Sequence, residues 1–220
     1  MDNSIKKSPL YTLGEEIFNA VSHGVGIVFA VAAGAVMIVF AALFGDGWAL
    51  ASAIIYTITM FLLYLMSTLY HSFTNPKAKG VMRILDHCSI FLLIAGSYTP
   101  FCLITLRQHM GIPLFIIIWA VAILGIVLNS VNMEKFKKIS LIGYIVMGWA
   151  VVFTLKPLIQ GLPFGGLLLL ALGGLMYTGG VAFYVMKKHR YMHSIWHLFV
   201  LAGTVLQYLS VMLYVIPSTF

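Results

Sequence analysis

The sequence predicts an all-α integral membrane protein, a seven-transmembrane helix bundle with its N-terminus cytoplasmic and its C-terminus outside. Three observations carry that expectation. Apolar side chains make up 61% of the 220 residues and charged ones only 9%, well outside the norm for soluble domains. The apolar residues fall in long runs, such as 54–70 and 114–128, that fit spanning helices of about 20 residues. The basic residues occupy alternate loops between those runs, as topology determinants do.

The elements follow in order. Residues 1–19 begin polar, contain Lys6 and Lys7, and read as a cytoplasmic N-terminal segment. The run 20–44 is too long for a signal-peptide core and lacks a convincing cleavage site, so it reads as the first permanent helix. Gly45-Asp46-Gly47 breaks the chain before a second helix over 48–71, and Asn75-Pro76 before a third over 83–105. Pro100 removes a backbone donor inside that third helix and is expected to kink it between about Gly96 and Pro100. Gly111-Ile112-Pro113 opens a fourth helix at 112–132, and a stretch holding Lys135, Lys137 and Lys138 separates it from a fifth at 139–157. Gly161-Leu162-Pro163 precedes a sixth at 164–186. There Gly166, Gly173 and Gly180 recur every seven residues beside Gly174 and Gly179, a stripe that suits close helix packing in lipid. The run Lys187-Lys188-His189-Arg190 leads into a seventh helix at 192–216. Residues 20–216 read as one domain, with no linker or low-complexity tract.

Eleven of the thirteen basic residues fall at the N-terminus or in the loops after the second, fourth and sixth helices: Lys6, Lys7, Lys77, Lys79, Arg83, Lys135, Lys137, Lys138, Lys187, Lys188 and Arg190. Arg107 and Lys156 remain for the other side. The net charge of +7 therefore reads as positive-inside orientation and not as nucleic-acid binding. Cys88 and Cys102 share one helix at roughly 20 Å, too far for a disulfide, and read as small buried fillers.

Ionisable groups inside a bilayer are expensive and mark function. Ser67 and His71 close the second helix, Asp86 opens the third, and His193 and His197 open the seventh. Alternating direction at each crossing brings all of them to the inner leaflet. Residues four apart share a helix face, so His193 and His197 can bind one ion together and Ser67 lies beside His71. Three neutral imidazoles with an exchangeable position make an open zinc site. Asp86 either ligates that ion or acts as a base on its water, and Ser67 is expected to steady a ligand histidine, the water or a developing oxyanion. Asp86 also has a plainer reading, as a helix cap or a partner of Arg83. Glu15, Asn19, Ser22 and His23 on the first helix, Tyr64 on the second, and Ser89 and Ser97 on the third fall on faces that either line the site or hold the bundle together by hydrogen bonds. His87 points about 100° from Asp86 and is not expected to bind the same ion. His189 sits among cations, and His109 lies at the opposite end.

The motifs Ser67-Thr68-Leu69-Tyr70-His71, Leu85-Asp86-His87, Ala95-Gly96-Ser97-Tyr98-Thr99-Pro100 and His193-Ser194-Ile195-Trp196-His197 resemble those of the bacterial hemolysin III proteins, in the group that includes the progestin and adiponectin receptors. Glu15-Glu16, Asn19 and Ser22-His23-Gly24 match the bacterial branch as well. The resemblance spans essentially the whole chain. It implies a zinc ion held by His71, His193 and His197, with Asp86 and Ser67 around its water. It also implies a bacterial cytoplasmic membrane setting with membrane lipids as partners. Some relatives are associated with ceramide hydrolysis, whereas the bacterial branch is named for lysis and linked to lipid homeostasis. The site chemistry favours a zinc-dependent lipid hydrolase. A membrane sensor with structural zinc and a cytolytic pore remain as alternatives.

Overall fold

The computed structural model describes residues 11–186 and 189–220, most of them helical and none in a strand. Lys6, Lys7, Lys187 and Lys188 lie outside the described residues. The helices are α1 Leu13–Phe44, α2 Gly47–Ser72, α3 Pro76–Pro100, α4 Gly111–Trp149, α5 Leu155–Gly161, α6 Phe164–Val185 and α7 Met192–Ser210. A π-helical turn, Phe101–Thr105, prolongs α3 after Pro100, and π and 3₁₀ turns carry α7 on to Thr219. Six of the described helical stretches are long and apolar enough to cross a membrane, one fewer than the seven expected. Their outer faces carry exposed aliphatics such as Val21, Val25 and Val28 on α1 and Ile116, Ile123 and Leu124 on α4. Apolar residues facing outwards, with the buried ionisable groups turned inwards, are what a lipid solvent favours.

The difference in count arises in the fourth stretch, 51 residues from Gly111 to Gly161. As one straight helix it would reach roughly 75 Å, against a bilayer core of about 30 Å. It is broken at Asn132, whose φ of −159° and ψ of 88° are not helical. The Asn132 Oδ1 accepts from the Lys135 backbone N–H at 3.0 Å, the bond of a residue that starts a new helix. The chain doubles back there. Ser140 Oγ donates to Asn129 Oδ1 at 2.6 Å, although eleven residues along a continuous helix would separate them by roughly 16 Å. The break needs one residue, so the expected loop between 132 and 139 is mostly helix.

Two helices also begin earlier than expected. Thr12 and Glu15 form a reciprocal capping box, which starts α1 at Leu13 instead of residue 20 by satisfying its free N–H groups. Asn75 caps α3, with Pro76 in the first turn, where proline has no donor to lose. Lys77, Lys79 and Arg83 therefore lie on the first turns of a helix and not in a loop, and Asp86 is nearly three turns in.

Packing runs α1 on α2, α2 on α3, α3 on α4 and α6 on α7, and α1 closes against α7. Gly166, Gly173 and Gly180 are the buried residues of α6. A Cβ on Gly173 would come within 2.8 Å of Gln207 and 3.1 Å of the Gly203 carbonyl on α7, so the stripe does serve close approach. Gly26 of α1 does the same nearer the site, because any side chain there would overlap the Tyr64 ring of α2. Cys88 and Cys102 are free and buried.

Candidate metal centre

Five chain segments meet at one end of the bundle. Glu16 of α1 bonds His71 of α2 and Lys79 of α3. Arg83 of α3 pairs with Glu134 beside the α4 reversal at 2.8 Å, and the Tyr191 backbone N–H ahead of α7 donates to Glu15 Oε1 at 2.8 Å. Tyr191 adopts a left-handed φ of 61° to make that turn. The ends of α2 and α7 thus bring His71, His193 and His197 together, with one nitrogen from each lying within 4.8 Å of the others. His71 and His197 are buried and His193 is half-buried.

The His193 and His197 Nε2 atoms are 3.2 Å apart. Two nitrogens on one tetrahedral zinc, each at about 2.0–2.1 Å, would be separated by about 3.3 Å. The opposite ring nitrogens are held from behind. His71 Nδ1 lies 2.6 Å from Glu16 Oε2. His197 Nδ1 lies 3.4 Å from Ser22 Oγ, whose hydroxyl donates to the Asn19 carbonyl at 3.0 Å. Asn19 Oδ1 in turn accepts from Ser194 Oγ at 2.6 Å. His71 Nε2 is buried without a hydrogen-bond partner. A buried lone pair of that kind is costly, and three converging imidazoles are a donor set that suits zinc. The residues fit the ion.

Asp86 and Ser67 are buried beside the triad but do not belong to it. Asp86 is 3% exposed and within electrostatic reach of His71 and His23. Its Oδ2 lies 3.5 Å from His87 Nδ1, and that nitrogen also meets the Arg83 carbonyl at 2.9 Å. Asp86 neither caps α3 nor pairs with Arg83, because Asn75 and Glu134 fill those roles. Ser67 Oγ is buried and unpartnered one turn before His71. His87 is outside the triad, as are the exposed His109 and His189.

The flanking polar residues divide. Asn19 and Ser22 touch ligand rings, and His23 stacks on His197 at 3.6 Å and 9° with Tyr64 edge-on to it at 5.2 Å. Ser89 and Ser97 instead donate to carbonyls of their own helix at 2.7 and 2.9 Å. Sequence reasoning gave two residues no role at the site. Glu16 is one. Tyr11 is the other, its ring 4.9 Å from His193 at 25° and 5.6 Å from His71. Burial raises the Tyr11 phenol above its ordinary range, so it covers the cluster as a neutral ring. Both follow from the capping box Thr12-Leu13-Gly14-Glu15, a signal legible in the sequence that fixes where α1 starts. A cavity of about 300 Å³ between Gly80, Arg83, Asn129 and Asn132 shares no lining residue with the triad.

Fold and site define a multi-pass helical membrane protein with a buried three-histidine cluster able to hold a metal ion at one end of the bundle. Residues 11–208 match the Haemolysin-III related family. The chain is 44% identical over 204 residues to Hemolysin-3 of Bacillus cereus, covering 93% of each. It is 41% identical over 211 residues to a Hemolysin-3 homolog of Bacillus subtilis, covering 96% of this chain and 99% of the relative. The Monocyte to macrophage differentiation factor of Homo sapiens is 28% identical over 215 residues, 94% of this chain and 87% of that one. The protein belongs to the hemolysin III family and is related through it to the progestin and adiponectin receptor superfamily.

Proposed function

We propose that this protein is a zinc-dependent hydrolase of a membrane lipid amide or ester, acting from the inner leaflet of the bacterial cytoplasmic membrane. The observation that carries the reading is the separation of roles at the cluster. Three imidazoles converge, while Asp86 lies buried without joining the ligand set and Ser67 lies buried one turn before His71. A triad to which the described residues add no fourth histidine, cysteine or carboxylate leaves a position for substrate or water. When bound, zinc supplies Lewis acidity towards a carbonyl and acidifies water. Asp86 accepts the proton released in the attack and returns it to the leaving amine or alcohol. Ser67 Oγ, unpartnered among the described residues, donates to the oxygen on which charge develops. Tyr11 and the surrounding helices limit access of bulk water. The sensor reading with closed structural zinc needs a fourth protein ligand, and Asp86 is not within the cluster. The pore reading takes its support from the relatives' name. Among the described residues, however, the buried histidines and carboxylates (Glu15, His23, His71, Asp86 and His197) gather at one end, whereas a pore needs polar lining throughout.

The test is release of fatty acid from ceramide-like amides and phospholipid esters by purified, zinc-loaded protein in lipid nanodiscs. Zinc-dependent release is the expected result, and its absence from every lipid class tried sinks the hydrolase reading.

We further propose seven crossings, with α4 making two of them around Asn132, a cytoplasmic N-terminus and an external C-terminus. The reversal at Asn132 supports the count. The Arg83–Glu134 and Lys79–Glu16 pairs tie the basic ends of several helices to one face, which the positive-inside rule assigns to the cytoplasm. Reporter fusions after Lys138 and after Phe220 should lie in opposite compartments. Both on one side would mean an even number of crossings between them.

A further inference from the structure

Glu16 is the carboxylate that touches the histidine cluster directly. The capping box sets α1 to begin at Leu13, which turns Glu16 towards the end of α2. Its Oε2 lies 2.6 Å from His71 Nδ1 and its Oε1 lies 2.9 Å from Lys79 Nζ. Lys79 is itself fixed, donating to the Phe73 carbonyl at 3.2 Å and lying 5.1 Å above the Tyr70 ring. Both oxygens are therefore occupied, and the carboxylate has little freedom to turn away. The Glu16 side chain is 16% exposed and that of His71 fully buried, so water competes weakly for this bond.

An ionised carboxylate only accepts hydrogen bonds. The hydrogen of a neutral His71 must then sit on Nδ1, which leaves the Nε2 lone pair facing the other imidazoles. That Nε2 is the buried, unpartnered nitrogen. Asn19 Nδ2, at 3.5 Å from the same Nδ1, is too distant to displace the carboxylate. A charge-assisted bond at this length also makes the ring a stronger donor. His197 has only a hydroxyl at 3.4 Å behind it, so the support is unequal among the ligands.

We propose that Glu16 is the positioning residue of the metal centre, fixing the tautomer and donor strength of His71, with Lys79 clamping the carboxylate. This rests on the reading of the three histidines as a metal site, and it does not depend on turnover. The test is the zinc dissociation constant of the full chain in detergent, by chelator competition, for the parent, Glu16→Gln, Glu16→Leu and Lys79→Met. The absorption spectrum of the cobalt-substituted protein and the melting temperature without metal are measured on the same samples. Losing such a partner weakens metal binding by roughly 10- to 100-fold. Glu16→Gln, which keeps a neutral acceptor, should fall near the low end and Glu16→Leu near the high end. Lys79→Met should lose less than either, and the cobalt spectrum should change in the same order. A bond that merely ties α1 to α2 would lower the metal-free melting temperature without grading affinity by acceptor strength. Zinc affinity of both Glu16 variants within about twofold of the parent would overturn the assignment while leaving the metal site intact. A parent that binds no zinc would overturn both. Should Glu16→Leu fail to fold, the near-isosteric Glu16→Gln and the Lys79→Met comparison still decide.

Discussion

Replacing His193 and His197 together with alanine should take the purified protein from about one zinc per chain to essentially none. The expectation follows from the donor set. Their Nε2 atoms are 3.2 Å apart on adjacent turns of α7, and a lone imidazole from α2 does not retain zinc against water. Alanine at His71 alone should lower occupancy strongly, because it also strands the Glu16 carboxylate. Alanine at His109 or His189, both exposed and outside the cluster, should leave it unchanged. Occupancy should also fall as pH drops below about 6, since a protonated imidazole has no lone pair to give. Metal analysis after gel filtration decides the matter, and full zinc retention by the double variant would remove the site.

What the sequence revealed follows the strength of each physical signal. The apolar runs and the histidine spacing are strong, because lipid tolerates little polar surface without a reason. They located the helices and put Ser67, His71, Asp86, His193 and His197 at one end. Helix starts were weaker. The Thr12 capping box lies among polar residues ahead of the apolar run, and a boundary drawn by apolarity alone starts α1 seven residues late. Glu15 and Asn19 were still read as one face of that helix, but Glu16, which faces His71 and Lys79, and Tyr11, ahead of the cap, were given no place at the site. The same error placed Lys79 and Arg83 in a loop, where their pairing with Glu16 and Glu134 has no geometry to predict it. At Asn132 the sequence suggested a loop because Lys135, Lys137 and Lys138 are charged. One extended residue with its own side-chain cap reverses the chain instead, and charge composition does not encode that economy. Asp86 was legible as a site residue but not as a member or neighbour of the ligand set. That distinction depends on a few ångströms between α3 and α7, which helical periodicity does not specify.

That same distinction makes Asp86→Asn the most informative single substitution. The amide has nearly the shape of the carboxylate, and the His87 Nδ1 hydrogen already goes to the Arg83 carbonyl at 2.9 Å, so helix packing should survive at a site only 3% exposed. It is no base near neutral pH. Removal of a general acid–base costs roughly 10² to 10⁴ in rate. The expected result is therefore unchanged zinc content, little change in melting temperature, and a loss of lipid-hydrolysis rate of about 10² or more. The outcome differs if Asp86 moves to ligate the ion when metal is present. The substitution would then loosen zinc and lower the melting temperature together, because a ligand and a helix tie are lost at once. Measuring all three quantities on one preparation separates the two cases. Zinc loss with destabilisation, from a parent protein that hydrolyses nothing, would make the centre a structural staple. Retained zinc with lost turnover would make Asp86 the proton carrier of a hydrolase, for which a carboxylate held beside three histidines yet outside their ligand set is well placed.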